Sequence, residues 1–573
     1  MRLASLLLLA LLPSCAATTA PPPEPPPPAP APPIPPPPNP IILSIVGTSD
    51  LHGHLERTPM LGGFLDNLRA KRSADGGVVL VDAGDMFQGT IAANETEGAA
   101  VIRAYNALGY HAANVGNHEF DYGPVGPAAI PKSPSDDRRG ALVAAARQAS
   151  FPLLASNFVD KSTGKPVQWP GISPSTLVEV AGVKVGIVGV STLQTLETTI
   201  AANVDDLQMA PIAESIEREA KRLRDQGAAV VIASAHAGGA CKAFHDPDDL
   251  SSCEASEIFE VARALDPLLV QVVIGAHTHR AIAHRVNGIA VIQSYAYGSS
   301  FGRVDVRVDP STGEAVVLRV HPPQALCAKS EGNSAAPAET CEPGTYEGVP
   351  VQPSAAVRSA VTEDIAKAEI KRREPIGVTL PGELSRRGAP SSPLGDHLAA
   401  WMLEARPQAQ IAMVNAGGIR ASLPAGPLTY GTVYEMFPFD NRFASIRVKV
   451  DVVRKLVRGN LLGADAFSIA GVRVQATCKG SDLHVDLLRG GRPLRDNEEV
   501  VLLMSDYMAM TSRVNDAGMP REAFAYEPDP PIREAIVAHL RTKGASATST
   551  KPSPFAIPSG WPVVCPAPRA DPR

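Results

Sequence analysis

From Ile41 onward, short unbroken apolar runs alternate with stretches in which apolar residues recur every three to four positions. The runs at residues 41–49, 77–81, 183–190, 228–234 and 270–275 have strand length and are rich in β-branched residues, so they predict buried strands. Between two of them, Ile212, Ile216, Ala220 and Leu223 keep helical spacing up to Gly227, a residue suited to a helix C-terminus. Alternating strands and helices define an α/β first domain. The stretch 324–351, rich in Gly, Pro, Ser and Glu, then breaks the pattern. Past it, Val357, Val361, Ile365 and Ala368 predict a helix over 354–371 able to join two domains, followed by a second α/β unit over 376–565. No repeat of fixed period is evident.

Each polar cluster of interest follows directly on one of these apolar runs. That places it on a loop at the C-terminal end of a strand, where loops from neighbouring strands of an α/β sheet converge on ligands. Residues distant in sequence can thereby share one pocket.

The 573-residue length exceeds one ordinary core and allows two or three folded units. A hydrophobic content of 44% with 20% charged residues is that of a globular protein. The net charge of −6 comes with no Lys/Arg-rich run, which argues against a nucleic-acid polymer as partner. Met1-Arg2 and the apolar run from Leu3 to Leu12 suit a secretory signal and are too short to span a bilayer. The run ends in Leu12-Pro-Ser-Cys15, similar to a bacterial lipoprotein cleavage box, so residues 1–15 are expected to be a signal peptide with Cys15 lipidated. Residues 16–40, dominated by proline from 19 on, read as a semi-rigid spacer. The implied location is outside the cytoplasm, periplasmic or cell-surface, with membrane contact only through a lipid anchor. Setting Cys15 aside leaves six cysteines, an even set consistent with disulfides in an exported chain. The near neighbours Cys241 with Cys253 and Cys327 with Cys341 would close short loops and leave Cys478 and Cys565, although sequence alone leaves the pairing open.

The chemistry concentrates in Asp50-Leu-His52, Gly84-Asp85, Gly116-Asn117-His118-Glu119, His236 and Gly275-Ala-His277-Thr-His279. Together these supply carboxylate, imidazole and amide-oxygen donors in the numbers that a two-metal hydrolytic site needs. Each block alone is common in long chains; their joint order is informative. Donors of nitrogen and oxygen without sulfur suit zinc, manganese or iron. Glu119 reads as a loop support, His54 as a loop residue, and His245 with Asp246, Asp248 and Asp249 as a solvated loop between two cysteines.

That ordered set resembles the calcineurin-like metallophosphoesterases, and within them the secreted bacterial 5'-nucleotidase family. The resemblance extends over nearly the whole chain from Ile41, because Asn415-Ala-Gly-Gly-Ile-Arg420 and Met436-Phe-Pro-Phe439-Asp-Asn441 look like that family's C-terminal nucleotide-recognition domain. It implies an α/β (α+β) protein with an N-terminal four-layer β-sandwich flanked by helices at 41–350, an interdomain helix at 351–375 and a smaller α/β substrate-binding domain at 376–573. It implies two divalent ions, zinc or manganese, one on Asp50, His52, Asp85 and His279 and the other on Asp85, Asn117, His236 and His277. Asp85 would bridge, since a carboxylate offers two anionic oxygens. His118 with Asp121 matches the family's catalytic pair, Asp121 orienting the imidazole and favouring its charged form.

For the substrate, the resemblance implies that Phe439 and Tyr507 hold a planar base, with Asn415 and Arg420 as polar contacts and Arg386 or Arg387 at the place of a further substrate arginine. The chain departs from the family after Tyr507, where Met510-Thr-Ser-Arg513-Val-Asn515-Asp516 replaces a glycine-rich turn with a ribose-contacting aspartate. Asn515 or Asp516 is the candidate substitute. The expected activity is hydrolysis of nucleoside 5'-monophosphates or related nucleotides. The alternatives are a 2',3'-cyclic-nucleotide phosphodiesterase, a UDP-sugar hydrolase, and a non-catalytic surface-binding lipoprotein.

Overall fold

A computed structural model describes residues 39–126, 128–133, 135–327, 341–463, 466–527, 530–544 and 553–565. The expected signal peptide, Cys15 and nearly all of the proline spacer lie outside the described residues. No described helix is long and apolar enough to cross a membrane.

Two sheets stack face to face in the first half of the chain. One has seven strands in the order Ala315–Ala325, Ser300–Val308, Ile41–Thr48, Gly76–Asp82, Ala112–Asn114, Leu153–Leu154 and Ile172–Ser173. The other has six, in the order Ala281–Val286, Ile289–Ser294, Val272–Ile274, Val230–His236, Val183–Ser191 and Ser175–Val180. The central strands run parallel, with antiparallel strands at three of the four edges.

The near-continuous apolar runs make sense because both faces of each sheet are covered. Leu43, Ile45, Val79 and Val81 point into the layer between the sheets, against Val185, Ile187, Ile232 and Ile274. The alternate residues Val46, Val78 and Leu80 face outward onto helices Thr58–Arg72 and Ala99–Leu108 through Phe64, Leu68, Val101 and Tyr105. On the far side, Val188, Val231, Ala233 and Val273 pack on Ile216, Ala220 and Leu223 of helix Ile212–Asp225. This is the expected helix–sheet–sheet–helix sandwich.

Helix Ala355–Arg372 follows, its Val357 and Val361 buried against the first half and its Ala368 touching both cores. The second half builds on a five-stranded sheet in the order Phe467–Ala470, Ile411–Asn415, Glu499–Ser505, Phe443–Lys449 and Ala525–Tyr526. Helices Pro393–Ala405, Tyr430–Met436 and Ile532–Lys543 cover one face, and helix Val450–Leu462 with a four-stranded sheet covers the other. Disulfides join Cys241 to Cys253, Cys327 to Cys341 and Cys478 to Cys565. The last closes the longest loop, with a sequence separation of 87, and so removes the most freedom from the unfolded chain.

Candidate metal centre and substrate cleft

The parallel strands all deliver their polar loops to one edge of the sandwich. Asp50 and His52 follow Ile41–Thr48, Asp85 follows Gly76–Asp82, Asn117 and His118 follow Ala112–Asn114, and His277 and His279 follow Val272–Ile274, while His236 ends its own strand. Asp50, His52, Asp85, His277 and His279 all have positive φ, between 48° and 75°. Non-glycine residues reach that region only when their surroundings hold them there, and such strain gathers at functional sites.

Glu119 is what holds the loops. Its carboxylate accepts from the backbone N–H of Asp85, Met86, Phe87 and Gly116 at 2.7–3.2 Å, tying the loops after two strands together. The backbone N–H of His118 in turn donates to Asp85 Oδ1 at 2.9 Å. Gly116 has to be glycine, because a Cβ there would lie 2.3 Å from Asp85 Oδ1.

Two groups of potential ligand atoms result, Asp50/His52/His279 and Asp85/His236/His277. Within them, acceptor atoms face one another. His52 Nδ1 donates to Gln88 O at 2.9 Å, so its Nε2 presents a lone pair, and His236 Nδ1 donates to Ala83 O at 2.9 Å, which turns its Nε2 into the cluster. His52 Nε2 then sits 3.1 Å from His279 Nε2, and His236 Nε2 sits 3.0 Å from Asn117 Oδ1, 3.2 Å from Asp85 Oδ2 and 3.2 Å from His277 Nδ1. The Asn117 amide donates to Thr198 O at 3.0 Å, which turns its oxygen toward this cluster. Asp50 Oδ2 is fully buried without a protein hydrogen bond.

Converging lone pairs and an orphaned buried carboxylate oxygen are unfavourable without positive charge among them. Burial holds His52 well below the ordinary imidazole value and brings His277 down to about 3, so neither supplies a proton at neutral pH. Burial also raises Asp50 to about 7. His236 differs: burial opposes its charge, but Asp85, Asp50 and Glu119 outweigh this and raise it to about 9. A single imidazolium at His236 supplies less positive charge than this donor set is built to take. The donor set suits divalent cations.

His118 stands apart from these groups. Its Nδ1 lies 2.6 Å from Asp121 Oδ2, and Asp121 Oδ1 accepts from Thr199 Oγ1 at 2.9 Å. Burial disfavours its charged form, yet Asp121 and then Asp85 raise its pKa above the usual value.

A cleft opens over both groups and continues into the second half of the chain. Asp85, Asn117, His118, Asp121, His277 and His279 line one wall, and Asn415, Arg420, Phe439 and Tyr507 the other. The Phe439 ring stacks on His118 with centroids 5.6 Å apart and planes at 26°, and the Arg420 guanidinium lies 5.8 Å from the same ring.

Arg386 and Arg387 do not line this cleft. Arg386 Nη1 donates to Ile419 O at 2.9 Å, and partial burial of its guanidinium, with Arg420 nearby, depresses its pKa; both arginines are exposed side chains. Asn515 and Asp516 also stay outside, exposed on the short helix Ser512–Asp516. Sequence reasoning missed Gln88, Asn94, Tyr122 and Thr199 in the lining, as well as Tyr297, whose ring lies 5.2 Å from His279 and 5.6 Å from His52. Only position announced Gln88, three residues after Asp85.

Fold and site together define the class of calcineurin-like phosphoesterases, whose family model matches residues 43–281. Residues 375–514 match the 5'-nucleotidase C-terminal domain. The chain thus carries a calcineurin-like phosphoesterase domain followed by a 5'-nucleotidase C-terminal domain. Among curated proteins it is similar to endonuclease YhcR of Bacillus subtilis, 24% identical over 489 residues that cover 82% of this chain and 37% of that one. It is likewise similar to protein UshA of Yersinia enterocolitica, 24% identical over 504 residues, 82% of this chain and 85% of UshA. The chain thus spans little more than a third of YhcR and most of UshA. In fold it is similar to a 5'-nucleotidase precursor of Thermus thermophilus, with a TM-score of 0.67 at 21% identity, covering 91% of this chain and all of the other.

Proposed function

We propose that the protein is an exported, metal-dependent phosphohydrolase that releases phosphate from nucleoside 5'-monophosphates or related small nucleotides. The observation that carries this reading is the joint lining of one cleft by lone pairs converging on a cation site and by an aromatic and arginine wall from the other half of the chain. The three disulfides support an oxidising compartment.

In this reading Asp50, His52, Asp85 and His279 hold one divalent ion, and Asp85, Asn117, His236 and His277 hold the second, with zinc or manganese the expected metals. When bound, two such ions neutralise phosphoryl oxygens and make a water nucleophilic at neutral pH. The protein's own residues do the rest. Asp121 holds the Nδ1 proton of His118, which leaves Nε2 as the ring's polar atom for the cleft. From there the imidazolium stabilises charge on the phosphoryl group and passes its proton to the departing 5'-oxygen. Phe439 and Tyr507 offer ring faces to the base, while Arg420 and Asn415 offer polar contacts to the nucleotide.

The test is phosphate release by the full chain loaded with manganese or zinc. AMP, a 2',3'-cyclic nucleotide, UDP-glucose and an aryl phosphate are compared side by side, with and without chelator. AMP is expected to be the best substrate and chelation to abolish turnover. A loaded protein that cleaves none of the four would sink the proposal. Fewer than one bound ion per chain after reconstitution would favour a non-catalytic binding protein instead.

A further inference from the structure

Gln88 belongs to none of the assignments above, yet it touches both walls of the cleft. Its backbone carbonyl accepts the Nδ1 proton of His52 at 2.9 Å. Its side-chain Nε2 reaches across to the second half of the chain and donates to Pro438 O at 3.1 Å, spanning a sequence separation of 350. Pro438 directly precedes Phe439, whose ring lies on His118. One residue therefore bonds, with different atoms, an imidazole of the metal set and the turn that carries the base-stacking ring.

This bridge is built rather than incidental. Gln88 is 3% exposed and holds a positive φ of 52°. Its N–H donates to Tyr122 Oη at 2.9 Å, and Tyr122 Oη donates to Asn94 Oδ1 at 3.0 Å. Asn94 Oδ1 also accepts from Gly89 N, and its Nδ2 adds a longer 3.4 Å contact to Pro438 O. From the other side Arg533 Nη1 donates to Pro438 O at 2.9 Å and to Phe439 O at 3.3 Å. The Arg533 guanidinium is itself fixed over the Tyr434 ring at 4.1 Å and paired with Asp440. The Pro438 carbonyl is thus an acceptor on which donors from both halves meet, and Gln88 is the shorter-range of the two first-half donors.

We infer that Gln88 is a positioning residue that couples the seat of the Phe439 ring to the loop holding the metal-side imidazoles, and so sets selectivity for substrates that carry a base. The inference rests on the proposed nucleotide phosphohydrolase reading for its consequence, and on the hydrogen bonds alone for its geometry. A small phosphoester with no base does not use the Phe439 ring and is indifferent to the bridge.

Gln88→Met keeps the length of the side chain and the His52-accepting carbonyl but removes the donor; Gln88→Glu puts an anionic acceptor against Pro438 O. Hydrogen exchange of the full chain reads the coupling without turnover. In Gln88→Met, exchange is expected to rise about fivefold in both residues 86–94 and residues 437–441, the worth of one neutral hydrogen bond. A rise confined to 86–94, or none, overturns the inference, because a residue that only shapes its own loop would leave 437–441 untouched. With turnover, KM for AMP is expected to rise by a similar factor, more in Gln88→Glu, and by more than KM for a small alkyl phosphate, which has no ring to stack on Phe439. Equal losses on both substrates would overturn it too. If the wild type cleaves no phosphoester, the function proposal fails and the exchange result alone decides the role of Gln88.

Discussion

The two walls of the cleft are made differently. On the metal side, Asp50, His52, Asp85, Asn117 and His236 are at most 2% exposed, and their loops are cross-tied by Glu119. On the substrate side, Asn415, Arg420, Phe439 and Tyr507 are only half-buried, and Phe439 is placed through its neighbour Pro438. A donor set that must present several lone pairs to one point tolerates little error, so its loops are strained and over-determined. A ring that stacks on a flat base tolerates sliding, so fewer constraints suffice. In the proposed function, the first half fixes the chemistry and the second tunes the selection.

That contrast sets the size and kind of effect expected on each side. Asp85→Asn removes the carboxylate proposed to serve both ions, and phosphate release is expected to fall by at least about 1,000-fold, with fewer than two ions bound per chain by metal analysis. If activity survives that change, the metal wall is not the reaction centre. His118→Ala is expected to lower kcat by about 100- to 10,000-fold with metal content intact, which separates proton and charge handling from ion binding. Asp121→Asn removes the charge that most raises His118. A raised imidazole pKa keeps the proton in place as pH climbs and releases it only above that value. The alkaline limb of kcat in this variant is therefore expected to move to lower pH. An unmoved limb would mean that another group controls it. Phe439→Ala, on the tolerant wall, is expected to raise KM for AMP by about 5- to 150-fold, the worth of one stacked base, and to leave a small alkyl phosphate nearly unaffected. A loss of kcat as large as that of His118→Ala would erase the contrast, showing that the ring on His118 serves the reaction itself.

Much of the framework was legible along the chain. Strands were expected at 41–49 and 77–81 and are found at Ile41–Thr48 and Gly76–Asp82, and the helix expected at 354–371 spans Ala355–Arg372. Those patterns are local, since a strand buried on both faces must be apolar throughout and a helix against a core must repeat at its own period. The candidate donors were legible for a related reason: each block trails an apolar run, and parallel strands bring their trailing loops to one edge. Arg386 and Arg387 were not separable by spacing, because the contact that distinguishes them, Arg386 Nη1 to Ile419 O, is made to a carbonyl 33 residues away. Tyr297 and Thr199 left no signal and Gln88 only its place near Asp85, since each has its partners far off in sequence.

By itself, then, the sequence determined the α/β layering, the order of the loops and which carboxylates, imidazoles and amides were available to a metal. Only the tertiary structure decided which atoms of those residues face one another, that Glu119 clasps two loops, and that Gln88 joins the Pro438 turn from the opposite half of the chain. The physical reason lies in the range of the interactions. Periodicity and residue chemistry are written in neighbouring residues, whereas a hydrogen bond of 3.1 Å between residues 350 apart exists only once both cores have closed and their loops share an edge.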